Sequence, residues 1–173
     1  MHLLRFGLGL AAAVAAQVLG LRGLPSFSLW VDPILILVLY HSLASRPGWD
    51  ILGGAVAGLV RDALGGGAYG QFGFSNTVVA YVTARLRQQL VIQRPWRLAV
   101  LFALLALVQQ TVLAAVQFLL VADAELVPPW SVLAKSASTG LLGSLVYVVA
   151  TRLRAEGGRW RERRRRRLTI GTR

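Results

Sequence analysis

Asp62 is the side chain in this sequence best placed to do chemistry. It closes an apolar stretch in which Gly54, Gly58 and Asp62 recur every four residues, so the three share one stripe of a helix and Arg61 points about 100° away. An ionisable group inside a membrane span is costly to bury and is a functional candidate for that reason. The two glycines offer a groove in which another helix can pack closely. Counted from Asp50, Asp62 lies about 18 Å further along the helix, which places it in the outer half of a span. Ser75, Asn76 and Thr77 open the following helix, and Lys135, Ser136, Ser138 and Thr139 open the last one, at the same level. Arg61, Asp62, Ser75, Asn76 and Lys135 are therefore expected to form a buried polar cluster, with Lys135 as the first choice of partner for Asp62 and Asn76 as the second. Three readings of that cluster stand side by side. An ion-pair and hydrogen-bond network that fixes helix register is favoured, ahead of contact with a partner's transmembrane helix and of a ligand or proton site.

The remaining polar residues carry less chemistry. Gln109, Gln110 and Gln117 lie on one apolar stretch, where buried amides act as hydrogen bonds between helices. Cysteine is absent, which excludes disulfides, thiolate metal sites and cysteine nucleophiles. The two histidines, His2 and His41, stand too far apart in the chain to suggest a metal site. Gly65-Gly66-Gly67 lacks the lysine and hydroxyl of a phosphate-binding loop. No nucleophile with its base is recognisable, and neither catalysis nor a cofactor is expected.

The elements that must carry these groups are apolar. The 173 residues are 55% hydrophobic and 15% charged, against about a quarter charged in an ordinary globular domain, and the mean hydropathy is +0.59. At about 20 residues per span, the length allows six helices and leaves no room for a second soluble domain. The stretches run over about 3–21, 27–44, 51–64, 72–86, 98–121 and 132–150. In the first, a cleaved signal peptide, with Arg5 as its basic n-region and Ala13-Val14-Ala15 as its cleavage site, competes with an uncleaved helix; the apolar run to Leu21 favours the helix. In the second, Asp32 suits a helix N-cap and Pro33 the first helical position, so the regular helix starts there and is short. The third is too short to span unaided; it must borrow residues from its flanks, sit inside the bundle or thin the bilayer. Residues 1–154 are expected to form the bundle.

Charge gives the orientation. The net charge is +12, which in a soluble protein would suggest nucleic acid as partner. Here the arginines flank apolar stretches, and nucleic acid is not expected. With six spans and a cytoplasmic N-terminus, Arg5, Arg46, Arg85, Arg87, Arg94, Arg97 and every arginine from Arg152 onward fall inside, leaving Arg22 and Lys135 outside. The loop with Asp123 and Glu125 falls outside too. Residues 155–173 form a basic tail that cannot bury a core and is expected to lack regular structure. Its Arg163, Arg164, Arg165, Arg166 and Arg167 either contact anionic lipid or only enforce topology.

The stretch from Trp49 to Leu86, with Gly58-Leu59, Asp62, a short glycine-bearing turn, Gly70 and a helix ending near Ala80-Tyr81, resembles the rod shape-determining protein MreD family of bacterial inner membranes. Size, six spans and a short basic tail agree along the chain. Gly73 and Phe74 depart from the small or apolar helix formers expected at their positions, and the arginine tail is unusually dense. The resemblance implies a non-enzymatic membrane subunit of the machinery that elongates the cell wall. Its implied partners are an MreC-like single-span scaffold, the MreB filament, a SEDS-type glycosyltransferase and a penicillin-binding transpeptidase. The family is similar in fold to the substrate-binding subunits of energy-coupling-factor transporters. That similarity implies the alternative, a small-molecule-binding subunit with its pocket at the outer polar cluster.

Overall fold

The computed structural model describes the backbone of residues 2–23, 30–45, 48–65, 70–89, 95–120 and 128–170, with side chains described no further than 153. Among these residues the chain is all-helical: α1 (His2–Gly23), α2 (Pro33–Ala44), α3 (Trp49–Gly65), α4 (Gln71–Gln89), α5 (Pro95–Leu120) and α6 (Pro129–Ile170). Two helical segments, Trp96–Leu119 and Pro129–Leu153, are long and apolar enough to cross a membrane, while Leu4–Gly20 and Pro33–Ala44 are apolar but shorter. This is the composition of a helical membrane protein.

The organising element is the shortest helix. Asp32 accepts a hydrogen bond from the Leu35 N–H at 3.0 Å and Pro33 takes the first turn, so α2 starts where local capping chemistry dictates. Its 12 residues rise only about 18 Å, yet it touches every other helix. Its two faces feed two cores. Leu35 and Leu39 pack with Val79 of α4 and with Leu98, Leu101, Phe102, Leu105 and Ala106 of α5. Ile34 and Val38 pack with Ala13 of α1, Ala57 of α3 and Ala80 of α4. A helix that is apolar all round belongs in the interior, and α2 is there.

Glycine sets the closest approaches, as expected where lipid gives helices no hydrophobic reason to associate. A Cβ added at Gly54 would lie 2.6 Å from the Asn76 carbonyl oxygen, and one at Gly58 would press on the Phe72 carbonyl, 2.6 Å from the Gly73 Cα. The stripe expected from the sequence thus faces the backbone of α4. The pair α5 and α6 is joined in the same way: a Cβ at Gly140 would lie 2.8 Å from both the Ala103 Cβ and the Ala99 oxygen.

α3 takes in flanking residues at both ends and runs to 17 residues. Helical backbone continues through the basic tail to Ile170, where the composition suggested no regular structure. Arginine is a good helix former, and a helix already under way needs no new nucleus. The tail's side chains, the loop with Asp123 and Glu125, Arg46 and Arg94 lie outside the described residues.

Candidate functional site

The polar residues gather at the end of the bundle where α2, α4 and α6 begin and α3 ends. Asp62 sits in the last turn of α3, buried, and its carboxylate turns to the start of α4. It accepts three backbone N–H groups, from Gly70 at 3.1 Å, Phe72 at 3.0 Å and Gly73 at 2.9 Å. The first N–H groups of a helix have no partner within it and need a side-chain oxygen. Gly70, at φ +95° just before α4, has no side chain to supply one, and Asp62 of the preceding helix takes that place. A carboxylate at a helix N-terminus also meets the positive end of the helix dipole. Neither Lys135 nor Asn76 is its hydrogen-bond partner. Backbone donors alone satisfy the charge, so the expected pairing is corrected.

Gly73, which departs from the expected pattern, follows from the same geometry. Its N–H reaches Asp62, and an added Cβ would lie 3.1 Å from the Leu59 Cδ2 of α3. Phe74 points away from the bundle and is exposed.

Arg61 does not snorkel outward. It is buried and forms an ion pair with Asp32, the N-cap of α2, and its guanidinium lies 3.8 Å from the centre of the Phe72 ring. Asp32 therefore closes α2 with one oxygen and holds α3 with the other. Lys135 of α6 lies in the field of this pair, interacting with both Asp32 and Arg61. The carboxylate for the cations is thus Asp32, 29 residues before Arg61, and sequence reasoning assigned it only a capping role.

The rest of the cluster is built from amides and hydroxyls. Gln109 of α5 donates its Nε2 hydrogen to the Asn76 Oδ1 at 2.6 Å, with both residues fully buried. Gln117 reaches Gln71 at 3.4 Å, further along the same pair of helices. The Ser75 hydroxyl is spent on its own helix, donating to the Phe72 carbonyl at 3.4 Å. Ser138 of α6 donates to the Trp30 carbonyl. The structure therefore brings Arg61, Asp62, Ser75, Asn76 and Lys135 to one end of the bundle. It distributes four of them over three separate devices rather than one constellation, the Asp62 cap, the Asp32–Arg61 pair with Lys135 and the Asn76–Gln109 bond, and leaves Ser75 bonded to its own helix.

The opposite end is tied by side-chain nitrogens on carbonyls. Arg87, near the end of α4, donates to the backbone oxygens of Ser42 at 3.1 Å and Leu43 at 3.4 Å and to that of Ser45, all at the C-terminus of α2. His41 Nε2 lies 3.1 Å from the Trp49 carbonyl oxygen at the start of α3. Among the described residues no group of three or more His, Cys, Asp or Glu is placed to hold a metal ion.

A family model described as rod shape-determining protein MreD matches residues 3–149. The chain belongs to the MreD family. The match takes in all three polar devices and both glycine contacts of α3, and it ends before the arginine tail. No curated protein and no solved structure matches the chain. In this MreD-family protein, a role in rod shape determination is thus joined to a membrane bundle whose polar residues bond mainly to one another and to helix ends.

Proposed function

We propose that this chain is a non-enzymatic scaffold of the cell-wall elongation machinery in the bacterial inner membrane, spanning it six times with both termini in the cytoplasm. It holds an MreC-like single-span protein and, through it, the wall-building enzymes and the MreB filament. The observation that carries this reading is the state of Asp62. The ionisable side chain best placed for chemistry accepts three backbone N–H groups and is spent on joining α3 to α4. Arg61 is likewise engaged by Asp32. Charges held in this way favour rigid presentation of a surface over turnover.

The orientation rests on the arginines. Arg5, Arg85, Arg87, Arg97 and Arg152 belong to helix ends on the Arg87 side of the bundle, and the excess of Lys and Arg marks the cytoplasmic face. The tail from Arg163 to Arg167 then lies in the cytoplasm, where anionic headgroups contribute about 1 kcal/mol per charge. No observation favours the transporter-subunit reading. A fold like that of the energy-coupling-factor subunits is compatible with six helices, but the groove described below is not lined by Arg61, Asp62, Ser75, Asn76 or Lys135.

Affinity purification of the chain in mild detergent, with identification of the co-purifying proteins, tests the proposal. Recovery of an MreC-like protein is expected. Recovery instead of the energising subunits of a transporter would overturn it.

A further inference from the structure

α1 and α6 both lie against α2, yet they do not touch each other among the described residues. The space between them is a groove of about 610 Å³ floored by α2. Along most of its length it is apolar. Gly9, Ala12, Ala13 and Ala16 of α1 form one wall, Ile36 and Leu37 of α2 the floor, and Val146 and Ala150 of α6 the other wall. Its polar groups collect at one end, where Arg5, His41 and Ser45 line it. The ring contact between Phe6 and His41, centroids 4.4 Å apart, fixes that end at the start of α1.

The shape selects the occupant. From Arg5 to Ala16 the groove follows α1 for about 16 Å, roughly the depth of one leaflet of a hydrocarbon core about 30 Å thick. A partner's spanning helix needs a face running the full thickness, whereas an acyl chain hung from a headgroup at the polar end needs one leaflet. The charge selects the headgroup. The mouth carries the exposed guanidinium of Arg5, on the side of the bundle where Arg87, Arg97 and Arg152 also lie, and a basic site at a membrane surface favours anionic lipid.

We propose that this groove binds one anionic phospholipid, with an acyl chain lying on α2 between α1 and α6 and its phosphate held by Arg5 at the His41 end. The lipid closes the gap between two helices that do not meet, and so fixes the position of α1, which among the described residues otherwise rests on α2 and α3 alone. The inference needs the chain to be in a membrane but not the scaffold reading, so the two can fail separately.

The test uses the full-length chain in neutral detergent with the tail arginines 163–167 replaced by Gln, so that the tail does not report. Phosphatidylglycerol or phosphatidylcholine is titrated in, and bound lipid is counted by native mass spectrometry. A preference for phosphatidylglycerol of about fivefold is expected, the equivalent of roughly 1 kcal/mol for one basic contact. Arg5→Gln should bring the two lipids level. Ala12→Phe, at an exposed wall position, should remove both, and Val146→Phe on the opposite wall should do the same if Ala12→Phe fails to fold. Equal binding of the two lipids by the parent chain would overturn the proposal, as would full occupancy in both filled variants. If filling the groove abolishes recovery of a membrane partner while lipid occupancy is unchanged, the groove seats a protein helix and the lipid assignment falls.

Discussion

The two ends of the bundle solve the same problem with opposite charges. At the Asp62 end a buried carboxylate satisfies the first N–H groups of α4; at the other end the Arg87 guanidinium satisfies the last carbonyls of α2. Both are helix-terminus chemistry, in which an anion complements the N-terminus and a cation the C-terminus. They differ in depth. Asp62 is buried beside a buried ion pair, whereas Arg87 is only half-buried. In a membrane bundle, then, the same local device fixes register where it is buried and trims a helix end where water or headgroups can substitute. The Asp62 end should be the brittle one.

The largest effect is expected at the buried pair. Arg61→Ala leaves the Asp32 carboxylate buried beside Lys135 alone and should cost about 3–5 kcal/mol, read as loss of thermal stability in detergent. With Asp32→Asn, which keeps the α2 cap, the double variant should lose clearly less than the sum of the singles. Asp62→Ala and Lys135→Ala should instead add, because the two do not bond. Additivity at Asp32 and Arg61 would remove the pair.

Gly58→Leu comes next. Its side chain must enter the backbone of α4 at Phe72 and Gly73, and overpacking of this kind costs about 1–3 kcal/mol or more. A variant as stable as the parent and as able to assemble with its partner would mean that α3 and α4 can separate without loss. Gln109→Leu should cost about 0.6 kcal/mol, the average for such bonds between membrane helices. Arg87→Met should cost about 0.3–1 kcal/mol, the range for a surface charge at a helix end. If Arg87→Met proved as damaging as Arg61→Ala, the contrast between the ends would not hold.

What could be read from the sequence follows a physical divide. The start of α2 was legible because a cap acts within three residues of itself, as in Asp32-Pro33-Ile34-Leu35. The glycine stripe of α3 was legible because helical periodicity alone places Gly54 and Gly58 on one face. The partner of Asp62 was not, because backbone N–H groups carry no sequence signature; the one local clue is that Gly70 cannot cap its own helix. The Arg61–Asp32 pair was hidden for another reason. Its members stand 29 residues apart, and only the packing of α2 against α3 brings them into reach. Gln109 was recognisable as a buried amide between helices and Asn76 as a member of a buried polar cluster, but that the two meet depends on the register of α4 against α5. The reach of α6 to Ile170 was missed because composition speaks of burial, while a helix needs only a nucleus and good formers to continue.

The direct test of Asp62 as a structural cap is to compare Asp62→Asn with Asp62→Ala for thermal stability and for restoration of rod shape in cells depleted of the native protein. Asparagine keeps one oxygen, which can take the Gly70 and Gly73 N–H groups, but turns its NH2 toward the Phe72 N–H. Asp62→Asn should therefore fall between the parent and Asp62→Ala in stability, with rod shape following stability in both variants. An Asp62→Asn chain that is as stable as the parent and recovers its partner, yet leaves the cells round, would show that the charge itself is used and would contradict the capping role.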